Sequence, residues 1–173
     1  MRRNEMKASE LIKKAASQVG YKETGTNVTK YGAYFDAKPP KGAWQFFNGH
    51  KNGTEWCSLF VHWNYCQLED PEKVRIKMGE PKDGSKNCAA GVLYFYRYMQ
   101  AKGLIVNKKK GKSGDIIFLN TKKKPGHVGI IEKVTSLSYK TIEGNASNMV
   151  KRKSYLKVSS KIFALGRYPY DKE

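Results

Sequence analysis

Helical spacing marks the first hundred residues and strand patterns mark the last seventy, with no alternation between the two. Ala8, Leu11, Ile12, Ala15, Ala16 and Val19 recur at i, i+3, i+4 and i+7, and Gly20 follows as a C-cap. A second helix is expected from Cys57 to about Gln67, with Leu59, Phe60, Trp63 and Cys66 as its inward stripe. Asn87 offers an N-cap for a third, "CAAGVLYFYRYMQAK", closed by Gly103. From there the chain reads "GDIIFLN", "GHVGIIEKV", "SYKTIEGN" and "KIFALGRYPY", short β-rich runs separated by Gly, Lys, Ser and Pro. Helices followed by strands, without βαβ alternation, argue for an α+β domain in which N-terminal helices pack on a C-terminal antiparallel sheet. Residues 21–56, rich in Gly, Asn, Pro and aromatics, read as long irregular loops, which in a compact domain shape sites. "DPEKVRIKMGEPKDGS" reads as a polar connection with room for a short helix. No internal repeat or linker interrupts the 173 residues, so one domain over 1–173 is expected.

Charge divides the chain unevenly. Residues 1–70 carry 10 Lys/Arg against 7 Asp/Glu, whereas residues 71–173 carry 23 against 8, which places most of the net charge of +18 in the strand-rich part. A basic half of this strength implies a polyanionic partner: nucleic acid, an anionic membrane or the anionic polymers of a bacterial wall. The clusters "NKKKGK", "TKKKP" and "KRK" read individually as solvated turns. No run approaches the ~20 apolar residues of a membrane helix, so membrane insertion is not expected. Lysines interrupt the apolar positions after the charged start "MRRNEMKASELIKKAASQVG", which excludes a signal peptide. The expected localisation is synthesis in the cytoplasm without an address, with any outside action depending on release.

Three cysteines are an odd number and lack Cys-x-x-Cys spacing, so neither a disulfide scaffold nor a zinc site is expected. Cys57 stands where a helix begins, in "GTEWCSLFVHWNYC", and helix N-termini favour a thiolate. Cys66 and Cys88 fit structural roles better. A reactive thiol needs a base. Of the three histidines, His62 lies on another face of the Cys57 helix, His50 precedes Cys57 in a loop, and His127 stands between two glycine-flanked positions at a strand lip. The base needs an orienter, and "TIEGN" supplies Glu143 and Asn145, which share a face if the strand period of two continues.

"EWCSLFVHW", "GDIIFL", "GHVGIIEKV" and "TIEGNAS" resemble, in order and approximate spacing, the blocks of the CHAP family of peptidoglycan amidohydrolases, papain-like enzymes related to the NlpC-type wall peptidases. "LIKKAASQVGYKETGTNVTKYG" and "FALGRYPY" are similar to the first and last segments of CHAP domains in phage endolysins. The resemblance implies a papain-like CHAP fold. It implies Cys57 as nucleophile, His127 as general base, Glu143 as the acidic orienter and Asn145 as a polar fourth member, with Asp115 structural. It also implies cleavage of the N-acetylmuramoyl-L-alanine amide or of a stem or cross-bridge peptide bond through a thioester. Tyr31, Trp44 and Trp56, with Phe46 and Phe47, are expected to line a substrate groove. Some family members bind calcium before the nucleophile, but "QFFNGHKNGTE" offers asparagines and a single Glu there, so neither metal nor other cofactor is expected. The expected partners are peptidoglycan and, through the basic surface, anionic wall polymers, with a monomer and no nucleic acid. Two alternatives share parts of this pattern: a basic nucleic-acid-binding module, and a papain-like protease acting on a protein.

Overall fold

The computed structural model describes residues 6–37, 52–81 and 90–170. Five helices, α1 (Ala8–Ala16), α2 (Lys30–Ala37), α3 (Cys57–Cys66), α4 (Pro71–Met78) and α5 (Val92–Ala101), precede six strands, β1 (Ile105–Val106), β2 (Ile116–Thr121), β3 (Lys124–Val134), β4 (Ser138–Glu143), β5 (Lys151–Leu156) and β6 (Ile162–Gly166). The strands form one sheet in the order β1-β6-β2-β3-β4-β5, antiparallel throughout. This is the expected α+β class.

Local chemistry accounts for most element ends. Asp70 caps α4 by accepting from the N–H groups of Glu72 and Lys73, and Gly79 closes it at φ +78°. Gly103, at φ +75°, ends the turn after α5. That helix starts at Val92 rather than near Cys88; Asn87 and Cys88 lie outside the described residues. Asp115 is buried and holds Arg167 through two 2.8 Å bonds, while accepting from the Lys112 N–H at 2.7 Å, a wholly structural role.

Two elements depart from the sequence expectation. The supposed irregular stretch contains α2, started by Thr29, whose hydroxyl accepts from the Gly32 N–H at 3.0 Å. Gly32 looks like a helix breaker, yet a Cβ there would sit 2.7 Å from the Asn52 backbone, so this glycine permits the chain before α3 to dock on α2. "KRK" is not a turn but opens β5, an edge strand whose burial alternates weakly. Lysines on an edge are a known defence against stray pairing, which explains why the strand carries a turn-like composition.

The β2–β3 hairpin turns on two lysines at positive φ, Lys122 at 50° and Lys123 at 63°. Left-handed backbone costs a non-glycine residue ~1 kcal/mol or more. Lys123→Gly is therefore expected to stabilise the protein by about 1 kcal/mol, a rise of ~2–4 °C in Tm. A thermal melt checks it, and an unchanged or lower Tm contradicts the strain.

Strand alternation gives the sheet two buried faces. Ile116, Phe118, Val128, Ile130 and Ile142 join the helices in the main core, and Ile117, Leu119, Ile131 and Tyr139 form a second cluster with Ile162 and Leu165. Helix α3 packs on β3 and β4 and against α1, α2 and α4. All ten of its residues are buried, so the expected amphipathic stripe is instead a central helix covered on every side. His62, on a face away from Cys57, is buried there and pairs with Glu80 at 2.5 Å.

Candidate active site

Cys57 is the first residue of α3 and is 4% exposed. Trp56 precedes it as N-cap, and no side chain caps the helix start. The first-turn N–H groups of a helix have no partner within it, and the Cys57 sulfur stands at the positive end of the helix dipole, where a negative charge is favoured.

His127 stands near the start of β3. It shares a face with Gly129 and Ile131, as Tyr139, Thr141 and Glu143 share theirs on β4. The β3–β4 ladder runs only as far as the Ile130–Ile142 pair. His127 therefore stands past the end of β4, where a helix terminus can reach it. Phe60, one turn along α3 from Cys57, closes that approach: a Cβ on Gly144 would lie 2.4 Å from the Phe60 Cβ. Only glycine lets the turn after β4 touch α3 so closely.

The three side chains come together at one place. His127 Nε2 bonds Glu143 Oε2 at 2.9 Å, and Cys57 lies close enough to the imidazole to help raise its pKa. With Nε2 engaged by the carboxylate, Nδ1 is the nitrogen left for sulfur. Burial works against charge on the imidazole, but the bonds to Cys57 and Glu143, together with their negative charge, outweigh it and raise the His127 pKa to about 10. Glu143 is 1% exposed and is held by two further donors, the Thr141 hydroxyl at 2.5 Å and the Tyr155 hydroxyl at 3.3 Å. Burial first, and then the Glu143 charge, push the Tyr155 phenol well above its ordinary value, so it remains a donor at any working pH. Gly129 makes room for this geometry, since a Cβ there would lie 2.6 Å from Glu143 Cγ.

Thr141 and Tyr155 escaped the sequence reading. The alternation of "SYKTIE" already places Thr141 on the face of Glu143; Tyr155 had no such signal, because its strand reads as a basic turn.

Cys57, His127 and Glu143 all lie within a stretch that a family model matches. The model of the CHAP domain matches residues 48–145, more than half of the chain. The chain belongs to the CHAP-domain family. Among solved structures, this CHAP protein is similar to the crystal structure of Ly7917, with a TM-score of 0.56 and 18% identity over 95% of this chain. It is equally similar to the crystal structure of Ly7917 with the hydrolyzing product of MDP. It spans 63% of the length of those chains, and at this identity the likeness is one of fold. No curated protein sequence matches it.

The other expected site residues fare differently. Asn145 does not continue the strand: β4 ends at Glu143 and Asn145 takes a left-handed φ of 54°, so the period-two argument stops two residues short of it. Tyr31 and Trp56 do not line a groove. Both are wholly buried, stacked on each other at 5.5 Å between ring centroids, and the Trp56 indole N–H donates to Glu23 at 2.9 Å. Their task is to fix the start of α3, for which a rigid aromatic pair is well suited. Trp44, Phe46, Phe47 and His50 lie outside the described residues. Cys66 is an unpaired thiol whose pKa burial pushes up, reinforced by Glu80 and Asp70, which makes it inert. Among the described residues, no group of three or more His, Cys, Asp or Glu is placed to hold a metal ion. Nor, among them, is any helix long and apolar enough to cross a membrane.

Proposed function

We propose that this CHAP protein is a peptidoglycan hydrolase that cuts a wall amide bond by cysteine chemistry. We further propose that it serves as a phage or prophage endolysin, made in the host cytoplasm and acting after release. The observation that carries the reading is the continuous chain Cys57–His127–Glu143 at a helix start, in a chain of this family. The solved relative bound to the hydrolyzing product of MDP supports the substrate class.

Because the His127 pKa is about 10, the imidazole holds its proton at neutral pH. The proton given up by the Cys57 thiol resides on that imidazole, so the sulfur attacks the amide carbonyl as a thiolate, and the first-turn N–H of Cys57 stabilises the oxyanion. The imidazolium then donates its proton to the departing amine, and the neutral imidazole activates the water that hydrolyses the thioester. Glu143 keeps the imidazolium charged and aimed; Thr141 and Tyr155 keep Glu143 in place.

Digestion of purified peptidoglycan, with mass spectrometry of the new ends, tests the proposal. A lactyl end with an N-terminal alanine identifies the amidase, and a cut stem or cross-bridge identifies the endopeptidase. Intact peptidoglycan after exposure to folded protein rejects both.

The raised pKa sets a pH profile. The acid needed for amine departure survives until pH passes about 10, so activity on a soluble fragment should persist through pH 9 and fall above it. Glu143→Gln removes a charge that raises this pKa, so the alkaline limb should move to lower pH and kcat should drop by ~100-fold. A limb that stays in place in the variant contradicts the role of Glu143.

The excess of 23 Lys/Arg over 8 Asp/Glu in residues 71–173 supports retention on the anionic wall. Wall lysis, though not hydrolysis of a small soluble fragment, should fall several-fold between low and ~0.5 M salt as screening shortens to a few ångströms. Parallel turbidity and fragment assays separate the two.

A further inference from the structure

A cleft of about 550 Å3 opens directly beside His127, between the ends of β2 and β3 and the last residues of β5. Lys153 and Lys161 line it together with His127, Tyr155 and Leu119. Lys153 shares the Tyr155 face of β5, the face that carries Glu143 across the ladder. Both lysines belong to exposed positions, and neither pairs with a carboxylate of the described residues. Three other basic side chains are paired: Arg152 with Glu132, Lys77 with Glu69 and Arg167 with Asp115. No Asp or Glu is among the residues that line the cleft, and Glu143, behind His127, is buried and engaged by His127, Thr141 and Tyr155. A cleft lined by two unpaired cations and by apolar side chains suits an anionic group on an otherwise ordinary organic ligand.

We propose that this cleft is a specificity subsite that seats a free carboxylate of the peptide substrate, next to the amide presented to Cys57. The inference rests on the hydrolase reading for the peptide's identity, and it adds a requirement that reading does not contain: an acidic rather than amidated stem. Stem peptides bear a free α-carboxylate at their isoglutamyl residue or an amide in its place, and the subsite distinguishes the two. Lys153 and Lys161 act here as binding residues, contributing charge and hydrogen bonds to the carboxylate. Leu119 packs against the intervening aliphatic stretch.

The test is direct binding to the Cys57→Ala protein by calorimetry, using two synthetic stem tetrapeptides with blocked C-termini. One carries the isoglutamyl carboxylate, and the other carries the isoglutaminyl amide. The acidic peptide should bind at least tenfold tighter. Each of Lys153→Ala and Lys161→Ala should weaken it by about tenfold, a loss typical of one charge-assisted hydrogen bond. Lys153→Arg should recover most of the loss, which a folding defect would not. Lys13→Ala and Lys73→Ala, exposed lysines on the helical layer, serve as charge-matched controls and should leave the preference intact. Equal binding of the two peptides, or a preference unmoved by removal of both cleft lysines, overturns the proposal. So does lysine-dependent binding of a glycerol-phosphate oligomer without peptide discrimination, which would assign the cleft to a wall polymer instead. Digestion of walls by the wild-type protein judges the hydrolase reading separately. Carboxylate discrimination without digestion would leave the subsite standing and remove the enzyme; digestion without discrimination would do the reverse.

Discussion

Cys57→Ala should fold as the wild type does and release nothing from peptidoglycan. The loss expected for removing a nucleophile that works as a unit with its base is ~10⁴-fold or more in kcat. Stability should change little, because the change deletes one sulfur at a helix start that no side chain caps. Circular dichroism and a melt establish the fold, and turbidity loss of cell walls reads the activity. Cys66→Ala is the counterpart. That thiol is buried among Tyr34, Glu80 and Asp70, far along the same helix, so its removal should lower Tm and spare kcat. Cys88 lies outside the described residues, and Cys88→Ala completes the comparison. Activity surviving in Cys57→Ala and disappearing in Cys88→Ala would transfer the chemistry to Cys88 and dismantle the mechanism given above.

Gly129→Ala should cost about 100-fold in kcat with the fold retained, the scale expected when a positioned catalytic group moves by ~1 Å. The added methyl would lie 2.6 Å from Glu143 Cγ and 3.1 Å from the Ile142 carbonyl oxygen, so the carboxylate must yield. Its displacement releases His127 Nε2, and the alkaline limb of the pH profile should move down as it does in Glu143→Gln. A purely structural defect would lower Tm without moving that limb. Gly144→Ala approaches the site from the other side. Its methyl would meet Phe60 of α3 at 2.4 Å, and the strain falls on the contact that holds Cys57 near His127. Wild-type kinetics in both variants would show that the site tolerates far more movement than these contacts imply.

These two glycines illustrate where sequence and structure divide. "GHVGII" and "IEGN" were legible as blocks, and the structure brings His127 and Glu143 within hydrogen-bond distance of each other. The glycines between them carry no chemistry of their own. Their purpose appears only when β4 lies beside β3 and α3 lies against the turn that follows.

Periodicity alone determined the order of helices and strands, the antiparallel α+β class and the start of α3 at Cys57, because these depend on side-chain spacing along one segment. It could not find α2, which is held by contacts with residue 52 rather than by an apolar stripe, nor β5, whose lysines reflect its position at the sheet edge. It misplaced Tyr31 and Trp56 in a groove, since an aromatic residue in a loop reads the same whether it faces solvent or braces a helix. Tertiary structure decided which imidazole nitrogen holds Glu143, what holds Glu143 in turn, and that two unpaired lysines line a cleft with the same histidine. Those facts arise between segments far apart in the chain, and no local pattern encodes the distance between them.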